Sequence, residues 1–255
     1  MCDMTKIRLF GGTIVTLAFL INVGYAIDTL PEYVKPCSRS DPGLNTCIKN
    51  SFNYLKPYLK DGLTELGVPS LEPLEIDELI MDNNAGAVRI KARFSSIAAL
   101  GASNYSVREV RNDIKNLRID MSLGIPRVEV TGKYDVAGNV LLLPVRSHGN
   151  FWAEFLNISA IAKLYGQEKI KNGKTYMYIN KLGIDFTMKN ARFKVEDKLN
   201  TQNILGEAIN QFLNQNAKEL IQEMRPTASQ SIARLLQKIL NTAFGKLEMS
   251  YWLHD

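Results

Sequence analysis

The middle of the chain alternates between apolar and polar residues. Val88, Ile90, Ala92 and Phe94 are separated by Arg89, Lys91 and Arg93. A strict period of two marks a strand with one dry and one wet face. The pattern returns at Ile119, Met121, Leu123 and Ile125, interleaved with Asp120, Ser122 and Gly124, and again at Val128, Val130 and Tyr134. Asp135 to Asn139 predicts a hairpin turn, with Val140 to Val145 as the returning strand. Leu156, Ile158, Ala160, Ala162 and Leu164 then form an apolar set at every second position. A further turn at Lys171-Asn172-Gly173 leads into a strand with Tyr176, Tyr178, Leu182, Ile184, Phe186 and Met188 expected on one side. Lys181, Asp185, Thr187 and Lys189 fall on the other. The sum is a long antiparallel sheet with one apolar face that needs a cover.

The ends of the chain follow a helical period instead. Ile48, Phe52, Leu55, Leu59, Leu63 and Leu66 recur at spacings of three and four, which predicts a helix over Leu44 to Leu66. Ser40 or Asp41 suits its cap, Pro42 its first turn, and Pro57 predicts a break inside it. Gly67 and Pro69 end it. From about Asn200 to Phe244 the sequence reads as one helical stretch interrupted once, at Pro226. Ile204, Leu205, Ala208, Ile209, Phe212, Leu213, Leu220, Ile221 and Met224 make a stripe, continued by Ile232, Leu235, Leu236, Ile239, Leu240 and Ala243. At 1.5 Å per residue it would run about 65 Å. Such a stripe must lie along a partner of similar length, and the apolar face of the sheet is the obvious one. A filled core and a ligand-lined interior produce the same stripe, so the pattern leaves both open.

The first residues change the picture by setting the compartment. Lys6 and Arg8 precede a mostly apolar run from Leu9 to Val23, and Gly24-Tyr25-Ala26 places small residues where a signal peptidase reads. The run is short for a membrane span. Residues 1–26 are expected to be a signal peptide and residues 27–255 a single domain, secreted to the extracellular fluid. Cys2 leaves with the leader. Cys37 and Cys47 then form a pair that an oxidising compartment turns into a disulfide, a closure that stabilises by about 3 kcal/mol. The sequons at Asn104 and Asn157 are expected to carry glycans on solvent-facing side chains. An outward Asn157 puts Leu156 and Ile158 inward, in agreement with the apolar set.

Charge and chemistry mostly exclude. The formal net charge is +5, but Lys and Arg are scattered, which argues against a nucleic-acid partner. The chain has two histidines, His148 in an apparent turn and His254 at the end, and neither is near the cysteines. No metal site, cofactor or catalytic constellation is expected, and no nucleophile elbow, zinc-protease motif or phosphate loop is present.

Several local motifs resemble the insect takeout and juvenile-hormone-binding-protein family. They are the Cys37–Cys47 loop with Asp41-Pro42-Gly43-Leu44-Asn45, Gly62-Leu63 followed by Val68-Pro69-Ser70-Leu71-Glu72-Pro73-Leu74, Gly132-Lys133-Tyr134 with Gly138 and Leu141-Leu142-Leu143-Pro144-Val145, and Asn210-Gln211-Phe212-Leu213-Asn214 before Pro226. The resemblance spans essentially the whole mature chain. The tail Lys246-Leu247-Glu248-Met249-Ser250-Tyr251-Trp252 departs from the Val-Pro turn common in the family, and so leaves the closure of that end open. The family implies an α+β fold in which a strongly curved antiparallel sheet wraps a long C-terminal helix, with an N-terminal helix, similar in outline to the tubular lipid-binding domains. It implies a carrier of an apolar small molecule (juvenile hormone, another terpenoid, a fatty acid or a similar lipid) in an internal tunnel. The expected lining comes from Phe94, Met121, Leu143, Phe155, Leu156, Ile158, Leu164, Phe186, Phe212 and Met224, with Tyr134, Tyr176 and Tyr178 as hydroxyl donors on the predicted inner faces. A monomer is expected. Two other readings fit: a secreted signalling or interaction protein with a filled interior, and transient lipid transfer at a membrane through Arg89, Lys91 and Arg93.

Overall fold

The computed structural model describes residues 30–84, 86, 88–140, 143–197 and 203–255. The expected leader, with Cys2, lies outside these residues. The spine of the molecule is one long hairpin, β5 (Arg118–Val140) and β6 (Leu143–Lys171), paired along its length from Arg118–Tyr165 to Val140–Leu143. Shorter strands flank it in two halves. Nearest its tip, β3 (Val88–Leu100) pairs onto β5 and β2 (Leu74–Asn83) onto β3, and β8 (Asn190–Asp197) pairs onto β6. At its far end β4 (Ser106–Asp113) pairs onto β5, and β7 (Lys174–Thr187) onto β6. All these pairings are antiparallel.

The hairpin turns later than the alternation suggested. Asp135 to Asn139 continue β5, and the connection falls between Val140 and Leu143. Gly138 explains the misreading: its φ of +149° and the Arg89 carbonyl 2.2 Å from where a Cβ would stand demand glycine within the strand. Ser147-His148-Gly149 likewise lies in β6 and not in a turn, and His148 is exposed.

Where the two halves meet, the alternation changes phase. Pro126 and Asn157 fall between the pairs Ile125–Ile158 and Arg127–Leu156. Proline has no N–H for the ladder, and Asn157 sits at φ 51°, a left-handed conformation that asparagine tolerates. On β5 the inward set runs Ile119, Met121, Leu123, Ile125 and then Val128, Val130, Gly132, Tyr134. On β6 it runs Phe151, Ala153, Phe155 and then Ile158, Ala160, Ala162, Leu164. Leu156 is therefore in phase with Arg127 and Glu154, off the concave face, which corrects its expected inward placement. Asn157 itself is exposed, as is Asn104. A second irregularity between Tyr165 and Gly166 skips Asn180 on β7. Met177 and Ile179, 1% and 0% exposed, thus take the inward positions, and Tyr176 and Tyr178 the opposite face from Leu182 and Ile184.

At the N-terminal end, α1 (Leu44–Tyr54) and α2 (Lys56–Asp61) replace the single expected helix. The break falls at Leu55, with Pro57 in the first turn of α2 where its missing N–H costs nothing. Asp41 accepts from the Gly43 N–H at 2.7 Å ahead of α1, whose N-cap is Gly43, so Pro42 precedes the helix instead of opening it. The C-terminal stretch divides at Asn216, into α3 (Asn203–Gln215) and α4 (Ala217–Phe244). Pro226 does not interrupt α4. It is exposed, so the carbonyl it leaves without a donor lies on the solvent side. At the tail, α5 (Met249–Trp252) leads into β9 (Leu253–His254), which pairs in parallel with β1 (Cys37–Ser38). The disulfide Cys37–Cys47 joins that strand to α1.

The curled sheet has open edges, and helices cover them with asparagine amides. A side-chain amide presents an N–H donor and a C=O acceptor side by side, in the spacing of a peptide, so it can stand in for a neighbouring strand. Asn53 of α1 exchanges two hydrogen bonds with the Val107 backbone at 2.9 and 3.0 Å. Asn241 of α4 does the same with Ile179 at 2.7 and 3.1 Å, assisted by Gln237. Asn210 and Asn214 of α3 grip Val195 and Phe193 of β8. Four helical residues advance about 6 Å and two strand residues about 6.6 Å, so successive amides meet successive outward-pointing backbone pairs. The opposite edge receives α4 through Ser231, whose hydroxyl donates to the Ile80 carbonyl at 2.9 Å.

Candidate ligand-binding face

The concave face is packed in one half and only partly covered in the other. In the half built on β4 and β7, Val107, Val110, Leu117, Ile119, Met121, Leu164, Met177, Ile179 and Leu182 are all buried. Leu44 and Ile48 of α1 complete that core, with Leu236, Leu240 and Phe244 of α4 packed against it.

The half built on β2, β3 and β8 is different. Its buried concave residues include the small Ala92, Ala99, Ala153, Ala191 and Ser147 beside Leu74, Val88, Ile97 and Tyr134. The large side chains Phe94, Phe151, Phe155 and Phe193 remain partly exposed. They are arranged in edge-on pairs, Phe94 with Phe151 at 5.3 Å and Phe155 with Phe193 at 6.0 Å between ring centroids. Phe151 lies against Gly132, where a Cβ would stand 2.9 Å from its ring. Phe186 and Ile158 continue the same partly covered surface toward the packed half. The helical cover above has the matching property: from 207 through 228, along α3 and the first turns of α4, no residue is fully buried. An amphipathic helix beside an apolar sheet face normally buries its stripe. Here the stripe over 207–228 is covered only in part.

One polar point lies within this apolar face. The Tyr134 and Ser147 hydroxyls are 2.8 Å apart and both residues are buried. Burial raises the Tyr134 phenol above its ordinary value, partly offset by the Ser147 hydrogen bond. The phenol stays neutral, and the pair, having used one of its two protons, retains one O–H to offer.

The expected lining residues thus separate. Phe94, Tyr134, Phe155, Ile158 and Phe186 share the concave face. Met121 and Leu164 belong to the packed core. Met224 is on the part of α4 that is not fully buried, and Phe212 on α3 is 39% exposed. Tyr176 is buried where its backbone bridges to Glu248, and Tyr178 lines an outward groove of 520 Å³ with Arg234 and Lys238. Leu143 opens β6, its side chain being outside the described residues. Phe151 and Phe193 are additions. Phe193 was legible, since Ala191, Phe193 and Val195 alternate with Arg192, Lys194 and Glu196. Phe151 was hidden in the aromatic run Phe151-Trp152.

Among the described residues no cluster of His, Cys, Asp and Glu is arranged to hold a metal ion, and no helix is long and apolar enough to cross a membrane. His254 is exposed and lies against the Asp255 carbonyl.

A curled antiparallel sheet closed by a long C-terminal helix, apolar within and partly covered, is the architecture of a tubular α+β binding protein. The profile of the haemolymph juvenile hormone binding protein (JHBP) family matches residues 14–254, and the chain belongs to that family. It is similar to the circadian clock-controlled protein daywake of Drosophila melanogaster, 23% identical over 230 residues that cover 87% of each chain. Daywake of Drosophila yakuba is 20% identical over 233 residues, covering 88% of this chain and 90% of the relative. The crystal structure of Epiphyas postvittana Takeout 1 superposes with a TM-score of 0.74 at 20% identity, over 87% of this chain and all of that one. That likeness establishes the fold. The family is one of binding proteins and not of enzymes.

Proposed function

We propose that the protein is a secreted carrier of a hydrophobic small molecule, held against the concave face of the β2–β3–β8 half. The observation that carries this is the row of large apolar side chains left partly exposed beneath helices in which no residue over 207–228 is fully buried. Apolar surface that is sheltered but unfilled gains about 25 cal/mol for each Å² a guest covers. A long hydrocarbon therefore binds with few polar contacts, and the Tyr134–Ser147 pair offers one hydroxyl to orient it. The family name supports a terpenoid such as juvenile hormone; fatty acids and similar lipids share the shape and polarity the face demands. Secretion is supported by the Cys37–Cys47 disulfide. Native mass spectrometry of protein secreted from insect cells, with organic extraction of the same sample, tests the reading. A bound apolar species at one-to-one stoichiometry is expected. A protein that emerges empty and also refuses juvenile hormone and fatty-acid probes would overturn it.

A further inference from the structure

The four amide clamps are alike in geometry and unlike in surroundings. Asn53 grips Val107 and Asn241 grips Ile179, and both strand residues are buried in the packed core, 3% and 0% exposed. Releasing either clamp would require that core to loosen. Asn210 and Asn214 grip Val195 and Phe193, whose side chains are partly exposed on the open half. The helix they belong to is lightly held. Between 207 and 215 no residue of α3 is buried, and Phe212 is 39% exposed. Its described side-chain attachment to β8 includes four hydrogen bonds, those of Asn214 exposed and those of Asn210 partly buried, each worth only about 1 kcal/mol net. Elements with few buried contacts and accessible backbone bonds open first.

Position gives that weakness a consequence. Phe193, whose backbone Asn214 holds, presents its ring to Phe155 on the concave face. The edge of β8 therefore borders the partly covered aromatic surface, and α3 closes that border. A joint is present at the other end of the helix. Asn216 separates α3 from α4 with φ −107° and ψ 19°, off helical geometry, while still donating its backbone N–H to the Phe212 carbonyl. α4 beyond the joint is fixed to both sheet edges through Ser231 and Asn241. Motion is thereby confined to α3.

We propose that α3 is the gate to the apolar face, opening when Asn210 and Asn214 leave the edge of β8 and the chain bends at Asn216. This rests on the carrier reading of the same face. It requires that ligand exchange be set by release of the two amides and not by loosening of the packed half.

The test is stopped-flow uptake and release of cis-parinaric acid by the full chain. It compares wild type, the double variant Asn210→Ala with Asn214→Ala, and Asn53→Ala, with hydrogen-exchange mass spectrometry on all three. The double variant is expected to exchange α3 amides faster and to take up and release the probe about tenfold faster, with Kd shifted less than threefold. Asn53→Ala, the same clamp removed from the packed half, is expected to keep wild-type rates. If α3 exchange is unchanged in the double variant, the amides do not hold the helix and the gate is overturned. Faster α3 exchange with unchanged probe rates places entry elsewhere and overturns it too. A wild-type protein that does not bind the probe removes the carrier reading itself, a result separable from either of these.

Discussion

The two halves of the sheet share one hairpin and differ in what meets their concave faces. At the β4–β7 end, α1, α4 and the C-terminal tail converge on a cluster of buried strand residues, with Leu123, Ala162 and Ile184 partly buried beside it. At the β2–β3–β8 end the buried residues include several small ones, and the phenylalanines stay partly accessible under a helical cover in which no residue from 207 through 228 is fully buried. The first arrangement spends its apolar surface on folding. The second withholds it, which lowers the stability the fold would otherwise have and leaves surface for a guest. The phase change at Pro126 and Asn157 is where one use gives way to the other.

This contrast breaks most readily in the packed half. Ile179→Ala should cost about 3 to 4 kcal/mol in urea unfolding, because its side chain is fully enclosed and the cavity left cannot collapse. Replacing Cys37 and Cys47 together by serine should cost about 3 kcal/mol in the same assay, since the bridge ties β1, and through it β9, to α1. Asn241→Ala leaves the Ile179 N–H without a partner beside the core, while Gln237 still donates to the Ile179 carbonyl, and should cost about 1 to 2 kcal/mol. Phe155→Ala sharpens the comparison from the other side. Partly exposed in the free protein, it should cost about 1 kcal/mol or less in stability, while weakening binding of an apolar probe about tenfold.

The smallest effect concerns pH. Glu72 is partly buried, which alone would raise its carboxyl. The hydrogen bonds from the Gly101 N–H and from the Ser103 hydroxyl and N–H, at 2.7, 2.6 and 2.9 Å, outweigh this and hold it below its ordinary value of 4.5. A carboxyl depressed in the folded state adds stability above its unfolded pKa and loses it as the pH falls through the folded value. Glu72→Gln should therefore lower the urea midpoint at neutral pH and flatten its fall on acidification. Equal acid slopes in both proteins would contradict that assignment.

Much of the architecture was legible because its signals are local. Alternation located β3, most of β5 and the downstream part of β6, and a helical period located the C-terminal cover. What failed did so where one residue resets a pattern. Gly138 resembles a turn and is a strand residue packed against the Arg89 carbonyl. Asn180 is skipped in the ladder, which moves Tyr176 and Tyr178 off the inner face and brings Met177 and Ile179 onto it. Pro226 resembles a break, yet its exposure lets α4 run through, while the break at Asn216 carries no such mark. The site was less legible than the fold. Met121 and Phe94 read alike in sequence, each on the apolar side of an alternating strand. Only how closely the helices pack over each separates core from open face.

The measurement that bears most directly on that separation is photo-crosslinking with a diazirine-bearing fatty acid, followed by peptide mapping. The account predicts one adduct per chain, on peptides carrying Phe94, Phe151, Phe155 or Phe193. Adducts on Ile119, Met121, Leu164 or Met177 to Leu182, or spread over the outer surface, would contradict it.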